Sequence, residues 1–278
     1  MASNLVVARG GVEYVPPISL AFWRWFFVFV ILLFFNYQII LKNIKYLKKE
    51  YKKLFFLGIM GCGVCGAFPF MAGTTTTVAN MGIIYTSSPI FIILISSYFY
   101  NERLNMFQFS GLVLCFAGVI SIIAKGDMSL LVSLKFTSGD LWMLGAAVGW
   151  ALYAIFLLNW KSKFSLFSRF TIIAFFGAIS LLPFSLIENY FIRPVIFNND
   201  FYFWTIFAAI SPGIIAFSLY AQVQKKLGAS ITGFTLYLFT VYGAFYGIVI
   251  FGEQLESYHY YGAGLVFTGM FLVRKKTN

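Results

Sequence analysis

ANMGIIYTSSPIFIILISSYFYNERLNMFQFSGLVLCFAGVISIIAK, running from Ala79 to Lys125, is written twice in this chain. Moved forward by 151 positions without a gap, it lands on SITGFTLYLFTVYGAFYGIVIFGEQLESYHYYGAGLVFTGMFLVRKK, Ser230 to Lys276. Gly82 then falls on Gly233, Glu102 on Glu253, Leu104 on Leu255, Gly111 on Gly262, Phe116 on Phe267, Gly118 on Gly269 and Lys125 on Lys276. Each copy is a long apolar segment, a tight charged turn and a second apolar segment with glycine on one face. The turns read Asn101-Glu102-Arg103-Leu104 and Gly252-Glu253-Gln254-Leu255. Isolated identities carry little in a sequence so rich in Phe, Ile, Leu and Gly. Turns and glycines registering together mark an internal repeat, a common way to assemble large helical proteins.

Of the 278 residues, 60% are hydrophobic, 21% aromatic and only 10% charged, against about 25% charged in a soluble domain. Several apolar runs of about 20 residues are long enough to cross the hydrocarbon core as helices. The class is an all-α polytopic membrane protein; a membrane β-barrel would show short alternating segments instead. The net charge of +11 does not indicate nucleic-acid binding, because the basic residues lie in short loops and no folded polar domain carries them. Cys62 and Cys65 have CxxC spacing, yet both sit within an apolar run. They read as small side chains on a membrane helix, and the single histidine, His259, is too remote in sequence to complete a metal site. No cofactor is expected.

Spans are expected near 18–40, 54–73, 77–100, 106–124, 138–159, 166–187, 201–221, 229–251 and 258–273. Residues 1–14 read as the last half of one more spanning helix, ended by Pro16-Pro17. Fifteen basic residues fall on one side if every span crosses: the run Lys42 to Lys53, Arg103, Lys161, Lys163, Arg169, Lys225, Lys226 and Arg274-Lys275-Lys276. The other side holds Arg9, Lys125, Lys135 and Arg193 with most of the acids. That asymmetry places the Lys42–Lys53 loop and the C-terminus in the cytoplasm, and the membrane expected is the cell inner membrane. The repeat offset passes an odd number of crossings, so Glu102 and Glu253 face opposite sides. The design is therefore ten helices in two inverted five-helix repeats, 1–125 (helix 1 partial) and 138–276, with the first helix truncated at its N-terminus and about ten to fifteen residues expected upstream.

Ionisable groups inside lipid mark function by default, and the spans hold almost none. Arg24 lies less than two turns from a helix end, where it could snorkel, pair with Glu13 or bond carbonyls of the first hairpin; a structural role is expected. Glu102 and Glu253 read as structural, accepting backbone N–H groups at the next helix start. With no Asp, Glu or His at mid-depth, neither a carboxylate relay nor an embedded enzyme is expected. What remains is uncharged. Thr86, Ser88, Pro89, Tyr237 and Thr240 either line a cavity or pack helices closely, since a mid-helix proline frees a carbonyl that protein or water must satisfy. Gly82 and Gly233 read as helix-packing positions. Trp150 and Tyr153 are mid-depth aromatics that either stack on a substrate or fill volume. Ser211-Pro212-Gly213 reads as a hinge, Asn4 and Asn80 are amides that need partners, and Asn4 and Ser211 are counted with the expected cavity lining.

These features together resemble the EamA family of the drug/metabolite transporter superfamily. The resemblance rests on Ser3-Asn4, Pro17 followed by Arg24, the Pro89 helix ending in Glu102-Arg103-Leu104, Trp150, and the Gly252-Glu253-Gln254-Leu255 turn before a glycine-bearing last helix. It implies ten helices in two inverted repeats, export of small organic metabolites including amino acids, and a central cavity lined by helices 1, 3, 4, 6, 8 and 9. The expected partners are a small-molecule substrate and the lipid bilayer, with no nucleic acid; a homodimer stays open. Two rivals remain: a non-transporting membrane scaffold, which requires a dry centre, and a sugar-phosphate or nucleotide-sugar carrier, which requires buried Lys or Arg and has only Arg24.

Overall fold

The computed structural model describes residues 3–76, 78–101, 105–124, 127, 129, 137–238, 241–242 and 256–273. Among them are ten helical elements and no strand. α1 comprises Ser3–Val6, the widened π-type turns Val7–Gly11, and Val12–Tyr14. α2 is Pro17–Lys42, with proline in its first turn where the missing N–H is harmless. α3, Ile44–Ala72, contains a π-type stretch at Gly58–Val64. α4 is split into Val78–Tyr85 and Ser88–Tyr100. α5 is Met106–Ile123, α6 Ser138–Asn159 and α7 Leu166–Phe191. α8, Asn199–Leu227, contains a π-type stretch at Ala209–Ile215. α9, Ala229–Gly233, tightens into a 3-10 turn at Phe234–Tyr237, and α10 is Ser257–Val273. α2, α3, α6, α7 and α8 are each long and apolar enough to span a bilayer.

The repeat extends to the irregularities. Shifting the π-type stretch of α3 by 151 positions gives that of α8, residue for residue. Helix starts match as well. Asn105 accepts a hydrogen bond from Gln108 N at 2.8 Å while its own N–H donates to Gln108 Oε1 at 3.0 Å. At the equivalent positions, Glu256 N donates to His259 Nδ1 at 3.1 Å. The lone histidine thus serves as one half of a helix cap.

Equivalent helices pack against each other, and they do so antiparallel. Between α5 and α10, a Cβ added to Gly118 would lie 2.6 Å from Gly262 O, and one on Gly269 would lie 2.6 Å from Gly111 O. Gly262 and Gly269 are the repeat equivalents of Gly111 and Gly118, so the contacts are crosswise, as a two-fold axis requires. Midway between them, Cys115 Sγ donates to the carbonyl of its own equivalent, Val266, at 3.4 Å. The α2–α7 pair behaves likewise. Ser19 meets Ser185 (3.0 Å), Phe29 meets Phe175 (ring centroids 5.0 Å apart) and Asn36 meets Ser168 (3.1 Å), rising along one helix while descending the other. The halves are inverted repeats.

Polar side chains counted above with the loops are in fact buried clamps. Glu188 is 3% exposed inside α7 and accepts from Ile18 N (3.1 Å) and Ser19 N (2.7 Å), capping α2 from another helix. Asp140, 1% exposed, accepts from Thr137 N and from Thr76 Oγ1, tying the end of α3 to the start of α6. Arg169 is 7% exposed and donates to Leu157 O at 2.7 Å.

The split in α4 also differs from the expected single span over 77–100. Pro89 sits in the first turn of the second piece, and Ser88 Oγ bonds Tyr85 O at 2.6 Å, the carbonyl that a proline at position 89 leaves without its helical donor. Protein satisfies it locally, so the helix can break there.

Because Gly262 backs onto Ile122 and Gly118 O, whereas Gly264 has open space at its Cβ position, Gly262→Ala is expected to destabilise by about 1–3 kcal/mol through overpacking and Gly264→Ala to be near neutral. Thermal unfolding of the two detergent-purified variants checks this.

Candidate functional site

A cavity, part of it open to the outside, lies where α1, α2, α3, α4, α6 and α8 converge. Its wall carries Asn4 and Ala8 of α1, Arg24 of α2, Cys65 and Pro69 of α3, and Met81 and Tyr85 of α4. Met143 and Trp150 of α6 and Pro212 and Phe217 of α8 complete it. The glycines of α3 let the neighbouring aromatics in: a Cβ at Gly61 would overlap the Tyr153 ring, and one at Gly66 would overlap the Trp25 indole.

Arg24 is the charged group of this wall. It is 2% exposed. Nη1 donates to Asn4 Oδ1 at 2.8 Å, Nη2 donates to Pro212 O at 3.1 Å, and the guanidinium carbon stands 4.6 Å from the centroid of the Trp25 ring. Nε–H has no partner. Among the described residues no carboxylate pairs with it; the ionisable groups nearest its charge are Cys62, Cys65 and Tyr85. A buried charge held only by neutral acceptors carries a desolvation cost that an ion pair would offset.

An aromatic cluster closes one end of the cavity. Phe217 meets Trp150 edge-on (5.2 Å between centroids), Trp25 (4.9 Å) and Tyr153 (5.7 Å), and stacks on Phe170 (5.6 Å, 12° between planes). Beyond it lies a second, smaller cavity, lined by residues including Tyr153, Leu157, Phe170, Phe217 and Ser218. Phe217 belongs to both walls, so its ring stands between the two spaces.

The model of the EamA-like transporter family matches residues 1–124 and again 137–275. This chain belongs to the EamA-like transporter family. Among its relatives are an uncharacterized transporter of Archaeoglobus fulgidus, 24% identical over 99% of this chain and 93% of the relative, and the uncharacterized transporter YyaM of Bacillus subtilis, 25% identical over 95% and 86%. A solved crystal structure shares the fold with a TM-score of 0.77 at 18% identity, covering 98% of this chain and 92% of that one. The protein is a multi-pass membrane transporter.

Within this EamA-like transporter, the residues singled out from sequence do not all converge. Asn4 and Trp150 line the main cavity, and Tyr153 lines the second. Ser211 lies beside the main cavity with its Oγ 3.0 Å from Ser3 Oγ, and its neighbour Pro212 is in the wall. Thr86, Ser88 and Pro89 are buried at the break in α4. Gly82 is buried in α4, and a Cβ on its equivalent Gly233 would meet Ile92 and Pro89. Tyr237 packs away from the cavity, in a cluster with Cys115, Val119, Phe234 and Val266. Thr240, Glu102 and Glu253 lie outside the described residues.

Arg24 departs from the reading above. It neither snorkels nor reaches Glu13, whose backbone carbonyl is bonded by Arg193 instead. Its acceptors lie inward, on α1 and α8, and that reach brings α2 into a wall that the resemblance assigned to helices 1, 3, 4, 6, 8 and 9. Among the described residues α9 does not line this cavity. Phe217, Met81 and Met143 carried no sequence signal that separates them from ordinary core.

Phe217→Ala is expected to join the two cavities. In a background with Cys62, Cys65 and Cys115 replaced by Ser, a cysteine at Ser218 should react with a membrane-impermeant thiol reagent from one side only. Adding Phe217→Ala should extend the reaction to the other side.

Proposed function

We propose that this EamA-like protein exports small organic metabolites, amino acids or similar amphipathic solutes, across the cytoplasmic membrane by alternating access. The observation that carries the proposal is the cavity between the inverted halves, with mixed polar and aromatic walls and an aromatic barrier at one end. A scaffold would need no such space. Two further features support movement around it. π-type stretches recur at equivalent places in α3 and α8, and such local widenings concentrate at functional sites and give a helix a place to bend. The basic run Lys42–Lys53 and the basic C-terminus favour a cytoplasmic position for both. Catalysis forms no part of the proposal.

Purified protein reconstituted into liposomes loaded with a mixture of amino acids and related metabolites should give counterflow of at least one of them. Ala8 lines the cavity, so Ala8→Leu should block that flux by filling the space while leaving the melting temperature undiminished. Flux through Ala8→Leu equal to that of the unaltered protein would place the pathway elsewhere.

A further inference from the structure

The cavity wall has an imbalance that points to the chemistry of its occupant. Arg24 is the one basic residue among the described lining residues, and no carboxylate is present there. A guanidinium has five N–H donors, and only two of Arg24's are bonded, both to neutral oxygens. Its Nε–H is buried without a partner. Asn4 commits its carbonyl oxygen to Arg24, and its amide nitrogen makes no hydrogen bond among the described residues. Donors outnumber acceptors, and positive charge is uncompensated.

A carboxylate corrects both. It accepts only, it carries one negative charge, and its plane matches the guanidinium fork. A phosphate dianion would bring a second charge for which the described wall has no cation. A zwitterion would bring an ammonium for which it has no anion. The remaining surface, with Met81, Met143, Trp150 and Phe217, suits an apolar tail, and thioethers adapt to varied shapes.

We infer that the cavity selects small monocarboxylates with an apolar ring or branched tail and no ammonium group, Arg24 and Asn4 holding the carboxylate while Trp150 and Phe217 flank the tail. Within the small organic metabolites proposed above this sets amino acids aside in favour of carboxylates without an ammonium group, and it rests on that reading of the cavity as the substrate site.

Calorimetric titration of the purified full chain with phenylacetate, its uncharged isostere phenylacetamide, phenethylamine, phenylalanine and phenyl phosphate tests it. Phenylacetate should bind at least ten-fold more tightly than the other four. Arg24→Gln should abolish that preference while retaining the weak binding of phenylacetamide. Should the loss of Arg24's bonds to Asn4 and Pro212 prevent folding, Asn4→Ala should weaken phenylacetate several-fold and phenylacetamide less. The comparison of acid with amide in the unaltered protein needs no variant at all. Phenylacetate binding no tighter than phenylacetamide, or unchanged in Arg24→Gln, would overturn the inference. Tighter binding of phenyl phosphate, the amine or the amino acid would also overturn it. Counterflow of an amine or amino acid without phenylacetate binding would do so too while leaving the transport reading intact. Absence of both binding and counterflow would remove the two together.

Discussion

Lipid tails supply no hydrophobic force to press helices together, so the halves of this protein depend on close backbone approach. The decisive contact is the crossing of α5 and α10. Gly118 faces Gly262, Gly111 faces Gly269, and Cys115 bonds the carbonyl of its own counterpart Val266. Crosswise pairs flanking a residue that meets its own equivalent are what a two-fold axis produces. Because the helices run antiparallel there, the axis lies across them, in the plane of the membrane. The same operator relates α2 to α7 and the π-type stretch of α3 to that of α8.

That symmetry accounts for where the cavity lies and for what is asymmetric within it. The pairs α2–α7 and α5–α10 frame the bundle, and α1, α3, α4, α6 and α8 enclose the centre together with the Arg24 face of α2. The buried charge of the cavity wall comes from one half alone. Arg24's equivalent by the repeat offset is Phe175, an apolar residue packed against Phe29. One repeat therefore contributes the cation, while the other contributes the carbonyl of Pro212 and the rings of Trp150 and Phe217. The cavity wall thus departs from the symmetry that holds the bundle together.

Much of the architecture was legible in the sequence because it depends on patterns local to one segment. Apolar run lengths gave the helices, the shared turn and glycine register gave the repeat, and charge in the short loops gave the parity that implies inversion. The centre was less legible because it depends on partners far apart in the chain. Arg24's hydrogen-bond acceptor on α8 is 188 residues away, and Glu188 caps an N-terminus 170 residues before it. A basic or acidic residue near a helix end reads as solvated unless its distant partner is known, and Glu188, Asp140 and Arg169 are of this kind. The π-type stretches are likewise invisible to periodicity, since a widened turn adds one residue to a helix without changing its composition. Tyr237 shows the converse: its spacing fits either a cavity face or helix packing, and it packs with Cys115, Val119 and Val266 at the α5–α10 crossing.

The account stands or falls on the inversion. Asn105 and Glu256 open α5 and α10 at equivalent positions of the two repeats. Single cysteines placed there, in a chain lacking its three native ones, can be labelled with a membrane-impermeant thiol reagent in right-side-out and inside-out vesicles. Reaction of the two cysteines from opposite faces is the result the structure requires. Reaction of both from the same face would contradict it.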